Sequence, residues 1–127
     1  LNRKILIVGH GTFSSSLLES ATLMTGKLDG VWSLELDATE TPESFKERVG
    51  ALVSEHQIQI VLSDMVGGTP DNVAKLVSKD HKDLTVIGGV NLPLLLVLAM
   101  QPELAKTFTP GSPLSDFAPR VTAVKPR

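Results

Sequence analysis

The chain has 127 residues, 42% of them hydrophobic, which is about one domain's length and enough apolar material for a single core. A formal charge of −2 brings no basic surplus to neutralise phosphates, which argues against nucleic-acid binding. With no cysteine there is no disulfide framework, thiolate metal site or cysteine nucleophile, in keeping with a cytoplasmic location.

Strand-like and helix-like segments alternate along the chain. KILIV (4–8) is a continuous apolar run after its lysine, as a strand buried on both faces should be. A helical pattern follows, with Leu17, Leu18, Ala21 and Met24 on one face. Ser14, Ser15 and Ser16 fill its first turn without the G-x-S-x-G context of a nucleophile elbow. VWSLEL (31–36) is the second strand, with Trp32 in the core or on a partly covered sheet face. Thr41-Pro42-Glu43 then supplies a capping hydroxyl, a proline at the first helical position and an acid in the first turn. The helix it opens turns Phe45, Val49, Leu52 and Val53 inward and ends near His56, read as solvated surface.

IQIVLS (58–63) is the third strand, and Thr69-Pro70-Asp71 repeats the start signal before a helix with Val73, Leu76 and Val77 on one face. His81, in the charged loop KDHKD, is again read as solvated. LTVIGG (84–89) is the fourth strand, after which Asn91 can cap a helix with Pro93 in its first turn. That helix, LPLLLVLAM (92–100), falls far short of the roughly 20 residues needed to span a bilayer, so it reads as buried and implies no membrane insertion. The chain opens on Leu and shows no apolar h-region or cleavage site, so no secretion signal is expected.

The repeated strand-helix order predicts an α/β fold over a core of residues 4–100. Its sheet is expected to be mainly parallel, in the order 2-1-3-4, with helices on both faces and right-handed crossovers. FTPGSPLSDFAP (108–119) reads as a loop and RVTAVK (120–125) as a short edge strand that needs a partner edge. The whole chain, 1–127, is read as one domain.

Ligands of open α/β sheets bind beyond the carboxyl ends of the strands, where strand order reverses. The turns there are GHGTF (9–13), SDMVGGTPDN (63–72) and GGVNLP (88–93). In a 2-1-3-4 order His10 and Asp64 flank the switch point. Asp64 accepting from His10 Nδ1–H would fix the tautomer and leave the Nε2 lone pair as a nucleophile. Gly67 and Gly68 lead into the Thr69-Pro70 helix start, so unpaired N–H groups and a helix dipole would face an anion, with the Thr69 hydroxyl either capping or adding a donor. Gly9 and Gly11 remove Cβ atoms on both sides of His10. Each feature alone has a structural explanation in turn chemistry or capping; their coincidence at one rim favours a site.

Together GHGTFSSSLLESATLMTG, SDMVGGTPDNVAKL and GGVNLPLLL resemble, in order and spacing over residues 4–100, the IIA domain of mannose-family (mannose/fructose/sorbose type) sugar phosphotransferase systems. The resemblance implies a cytoplasmic phosphohistidine carrier. His10 would take a phosphoryl group from HPr on Nε2 and pass it to a IIB component, with Asp64 orienting the ring and the Gly67, Gly68 and Thr69 loop at the phosphoryl oxygens. It implies no metal and no other cofactor, an indirect link to membrane IIC and IID components, and a homodimer that exchanges the tail strand. Sugar specificity would then lie with the IIB partner and the membrane components. Val66 and Asp71 stand where an aromatic is frequent in the family, which alters the partner-facing rim. The chain is read as a free-standing IIA protein.

Three rivals fit less well. Tetrapyrrole metal chelatases also place Gly-His-Gly after a first strand, but the turn after strand four offers Asn91 where they need a second histidine. A histidine phosphatase needs an arginine clamp, and Arg3, Arg48, Arg120 and Arg127 all lie outside the predicted rim loops. A non-catalytic anion-binding module would hold phosphate without becoming phosphorylated.

Overall fold

A computed structural model describes residues 2–111 and 122–124. Four parallel strands, β1 (Ile5–His10), β2 (Val31–Leu36), β3 (Ile60–Ser63) and β4 (Thr85–Gly88), form one sheet in the order β2-β1-β3-β4, as expected. The helices are α1 (Phe13–Thr25), α2 (Pro42–His56), α3 (Thr69–Ser78) and α4 (Leu92–Met100), followed by a 3-10 turn over Pro102–Thr107.

Because successive side chains of a strand point to opposite faces, β1 feeds two cores. Ile5 and Ile7 pack with Ile60, Leu62, Ala21, Leu95 and Leu98, beneath α1 and α4. Leu6 and Val8 pack with Val61, Phe45, Val49, Val53, Val73 and Val77, beneath α2 and α3. Burial on both faces is why β1 and β3 read as unbroken apolar runs.

The capping signals hold at two of three places. Thr41 Oγ1 accepts from Ser44 N–H at 3.1 Å and Asn91 Oδ1 from Leu94 N–H at 3.0 Å. At α3 the cap is Gly68 instead, and Thr69 is the first helical residue. β3 starts two residues later than predicted because Gln57 ends α2 in the left-handed conformation (φ 53°) and Ile58 N–H returns to Val53 O at 3.0 Å.

Met24 and Leu76, expected to face inward, are 63% and 44% exposed. Periodicity gives a side chain's direction but not the extent of the surface it meets: Met24 lies in the last turn of α1 and Leu76 at the margin of the α3 stripe. His56 is not simply solvated, since its ring stacks on Trp32 with centroids 4.2 Å apart and planes 15° apart. His81 is half-buried, its N–H donating to Ser78 O at 3.2 Å. Ser14 does lie in the first turn of α1, but it is fully buried, and its Oγ donates to Leu34 O at 2.8 Å. Most of the predicted loop 108–119 and tail strand 120–125 lies outside the described residues; residues 122–124 form no strand.

Candidate functional site

The site is built at the carboxyl edge of the two central strands. The β1 ladder runs two residues further than predicted, pairing Gly9 with Glu35 and His10 with Leu36, so the backbone of His10 belongs to the sheet. β3 ends at Ser63, paired with Val8 and Gly88, and Asp64 N–H extends the contact by donating to Val8 O at 3.2 Å. His10 thus leaves from sheet backbone and Asp64 from the residue just after a strand, where position is well defined.

Asp64 Oδ2 accepts the backbone N–H of His10 at 2.9 Å and lies 2.6 Å from its ring Nδ1. Two anchors on one residue fix both the main chain and the ring. A carboxylate only accepts, so the ring carries its proton on Nδ1, and Nε2 makes no hydrogen bond among the described residues. The His10 side chain is 50% exposed and that of Asp64 10%. The second carboxylate oxygen, Oδ1, is buried without a hydrogen-bond partner.

The loop after β3 comes to the other side of the ring. A Cβ on Gly68 would lie 3.0 Å from His10 Cε1, so the cap residue of α3 lies close beside the imidazole and brings the positive end of the helix near it. The expected donors need correcting, however. Gly67 N–H donates to Asp71 Oδ2 at 3.0 Å and Gly68 N–H to Met65 O at 3.2 Å, so neither is unpaired. Gly67 instead turns the chain at φ 85°. The N–H and hydroxyl of Thr69 make no hydrogen bond among the described residues, which leaves this residue with unoccupied donors at the helix start.

Asp71 is also misplaced by the sequence reading. It lies not on the rim but fully buried, its Oδ1 accepting from Ser63 Oγ at 2.6 Å and its Oδ2 from Gly67 N–H at 3.0 Å and Lys75 Nζ at 2.6 Å. Burial alone would raise its pKa, but the hydrogen bonds from Lys75, Ser63 and Gly67 and the Lys75 charge outweigh that and hold it below the ordinary value. The four-residue spacing to Lys75 on a helix was the signal available in the sequence. Val66 does stand exposed on the rim beside Met65.

Arg48 is the second residue missed. It reaches from α2 to line a cavity with Gly11, Thr12 and Glu35, yet its guanidinium is bound to Glu40 Oε1 at 2.6 Å and Glu35 O at 3.2 Å. Ser15 Oγ donates to Glu35 in the same region. After β4, Asn91 is spent on its helix cap. No helix among the described residues is long and apolar enough to cross a membrane.

Comparison with known proteins agrees with the geometry. Residues 4–108 match the family model of the PTS system fructose IIA component. The PTS system fructose-specific EIIA component of Bacillus subtilis is 30% identical over 106 residues, which cover 80% of this chain and 72% of that protein. The mannose-specific EIIAB component of Escherichia coli is 29% identical over 99 residues, 76% of this chain but 31% of that longer protein. The crystal structure of a PTS IIA protein associated with the fucose utilization operon of Streptococcus pneumoniae superposes with a TM-score of 0.74 at 31% identity, covering 84% of this chain and 88% of that one. A histidine held by an acid between two parallel strands is thus met in the fold in which it was expected, and the chain belongs to the mannose/fructose/sorbose-type IIA family of the sugar phosphotransferase system.

Proposed function

We propose that His10 is the phosphoryl acceptor of a phosphotransferase relay, taking the group from phospho-HPr and passing it to a IIB component. The observation that carries this reading is the double engagement of Asp64 Oδ2 by His10, which turns Nδ1 to the carboxylate and leaves Nε2 without a hydrogen bond among the described residues. In the forward step the Nε2 lone pair attacks phosphorus, the bond from phosphorus to the donor's leaving atom breaks, and that atom keeps the electron pair. The positive charge that develops on the ring is met by Asp64, and the phosphoryl oxygens by the start of α3, with Thr69 as donor and Gly68 as the close wall. Gly67 serves by shaping this loop. Catalysis here is alignment and charge compensation, so the chain needs no cofactor.

The relay partner after His10 is a IIB component, a reading supported by the aligned Escherichia coli relative, whose name joins an A and a B component. Membrane IIC and IID components are reached only through IIB, and the site of action is the cytoplasm. The same reading makes the chain a homodimer.

Intact mass after incubation with phosphoenolpyruvate, enzyme I and HPr tests the proposal. Wild type should gain about 80 Da in acid-labile form, one phosphoryl group on a nucleophilic side chain, and His10→Ala should gain nothing. No gain with an active HPr would end the relay reading and favour an anion-binding module.

A further inference from the structure

The segment between β3 and α3 sets where Gly68 lies beside the imidazole. Gly68 N–H bonds within the loop itself, to Met65 O, Gly68 O accepts Asn72 N–H at 2.9 Å, and Asn72 Nδ2 reaches Gly67 O at 3.1 Å from an exposed position. A further bond, from Gly67 N–H, is made to a fully buried side chain, Asp71.

From this we infer that Asp71 is a positioning residue for His10, holding the Gly67–Gly68 turn against the ring and so setting the line of phosphoryl transfer. The inference rests on the carrier reading above.

Four observations carry it. First, a buried carboxylate persists as an anion only when its oxygens are fully engaged, and Asp71 has three donors: Ser63 Oγ, Gly67 N–H and Lys75 Nζ. Secondly, those donors come from three separate elements, the end of β3, the loop and the body of α3, so one side chain locks the loop to its two supports. Thirdly, the end of β4 walls it in: a Cβ on Gly88 would lie 2.9 Å from Asp71 Oδ1 and 2.6 Å from Val66 Cγ2. Fourthly, the path to the reacting residue is short. Asp71 holds Gly67, and the next residue, Gly68, lies so near the ring that an added Cβ would stand 3.0 Å from His10 Cε1, the carbon bonded to Nε2. Charge-assisted hydrogen bonds to a buried acceptor are directional and stiff, so the tie constrains position rather than merely adding cohesion.

The test compares wild type, Asp71→Ala and Asp71→Asn, each checked for fold by circular dichroism. Single-turnover phosphorylation is followed over a range of phospho-HPr, and the His10 Cε1–H and Gly68 amide resonances are recorded in the unphosphorylated proteins. Asp71→Ala is expected to lower the maximal rate about tenfold while the half-saturating donor concentration stays within about twofold, with both resonances shifted. Asp71→Asn keeps a carbonyl oxygen for Gly67 N–H and should recover most of the maximal rate, even with a lowered melting temperature. A purely structural role gives no such rescue. If Asp71→Ala does not fold, Asp71→Ser, too short to reach Gly67, takes its place with the same expectations. Wild-type maximal rate with unmoved resonances in the folded variant overturns the inference, as does an Asp71→Asn no faster than Asp71→Ala. If wild type itself takes up no phosphoryl group, the carrier reading fails, and the resonances alone then decide whether Asp71 positions His10: shifted resonances retain that role and unmoved ones end it.

Discussion

A single oxygen, Asp64 Oδ2, holds His10 twice, at the backbone N–H (2.9 Å) and at ring Nδ1 (2.6 Å). The first contact places the residue and the second selects the tautomer, so the two cannot be separated by moving the ring alone. Asp64→Asn separates them by chemistry. Its carbonyl oxygen can still accept the backbone N–H but cannot compensate a cationic ring. Phosphorylation of His10 by phospho-HPr should slow about a hundredfold with the fold intact, as read by rapid-quench single turnover. An unchanged rate would remove Asp64 from the mechanism.

Gly68→Ala tests the close approach of the loop to the ring at Cε1. The backbone at Gly68 is extended (φ −73°), so alanine meets no conformational penalty, but its Cβ would lie 3.0 Å from His10 Cε1. The ring must shift by a few tenths of an ångström. Phosphoryl acceptance should fall about tenfold, while the midpoint of thermal unfolding should scarcely change. A variant with the wild-type rate would show that the ring has room to spare.

The pH dependence of stability follows from Asp71. Its pKa is lowered in the folded state, so the unfolded chain binds the proton more readily. The stabilisation is therefore present above the unfolded value of about 3.9 and lost as pH falls through the lower folded value. Urea unfolding between pH 5 and pH 2 should show wild type losing stability more steeply than Asp71→Asn, whose amide does not titrate. Parallel slopes would contradict the assignment.

Trp32 is the chain's one tryptophan, so its fluorescence reports directly on the stack with His56. His56→Ala should alter the emission and cost about 0.5–1.5 kcal/mol, the usual worth of an aromatic pair. A double-mutant cycle with Trp32→Phe isolates that coupling from burial.

Phe45 is the largest fully buried side chain among the described residues and lies in the core between the sheet and α2. Phe45→Ala should cost about 3–5 kcal/mol in denaturant unfolding without changing the His10 resonances of the protein that remains folded. A shift of those resonances would mean that the core under α2 is coupled to the rim.

The strand order, the element sequence and the meeting of His10 with Asp64 were legible in the sequence because each rests on local or topological rules. Apolar runs mark strands buried on both faces, Thr-Pro-acid and Asn mark helix starts, and right-handed parallel crossovers leave few orders in which βα turns can lie side by side. What the sequence could not decide was how individual groups are spent. The same Thr-Pro-acid signal yields a capping Thr41 and a non-capping Thr69, because at α3 the preceding glycine turn already supplies the cap. Asp71 reads as an exposed first-turn acid, yet only the tertiary structure brings Ser63, Gly67 and Lys75 around it and makes burial of its charge affordable. By taking up Gly67 N–H, Asp71 removes that donor from the rim, while those of Thr69 stay unoccupied among the described residues. Propensity and pattern are properties of neighbours along the chain, whereas hydrogen bonds are claimed by whichever group folding brings nearest.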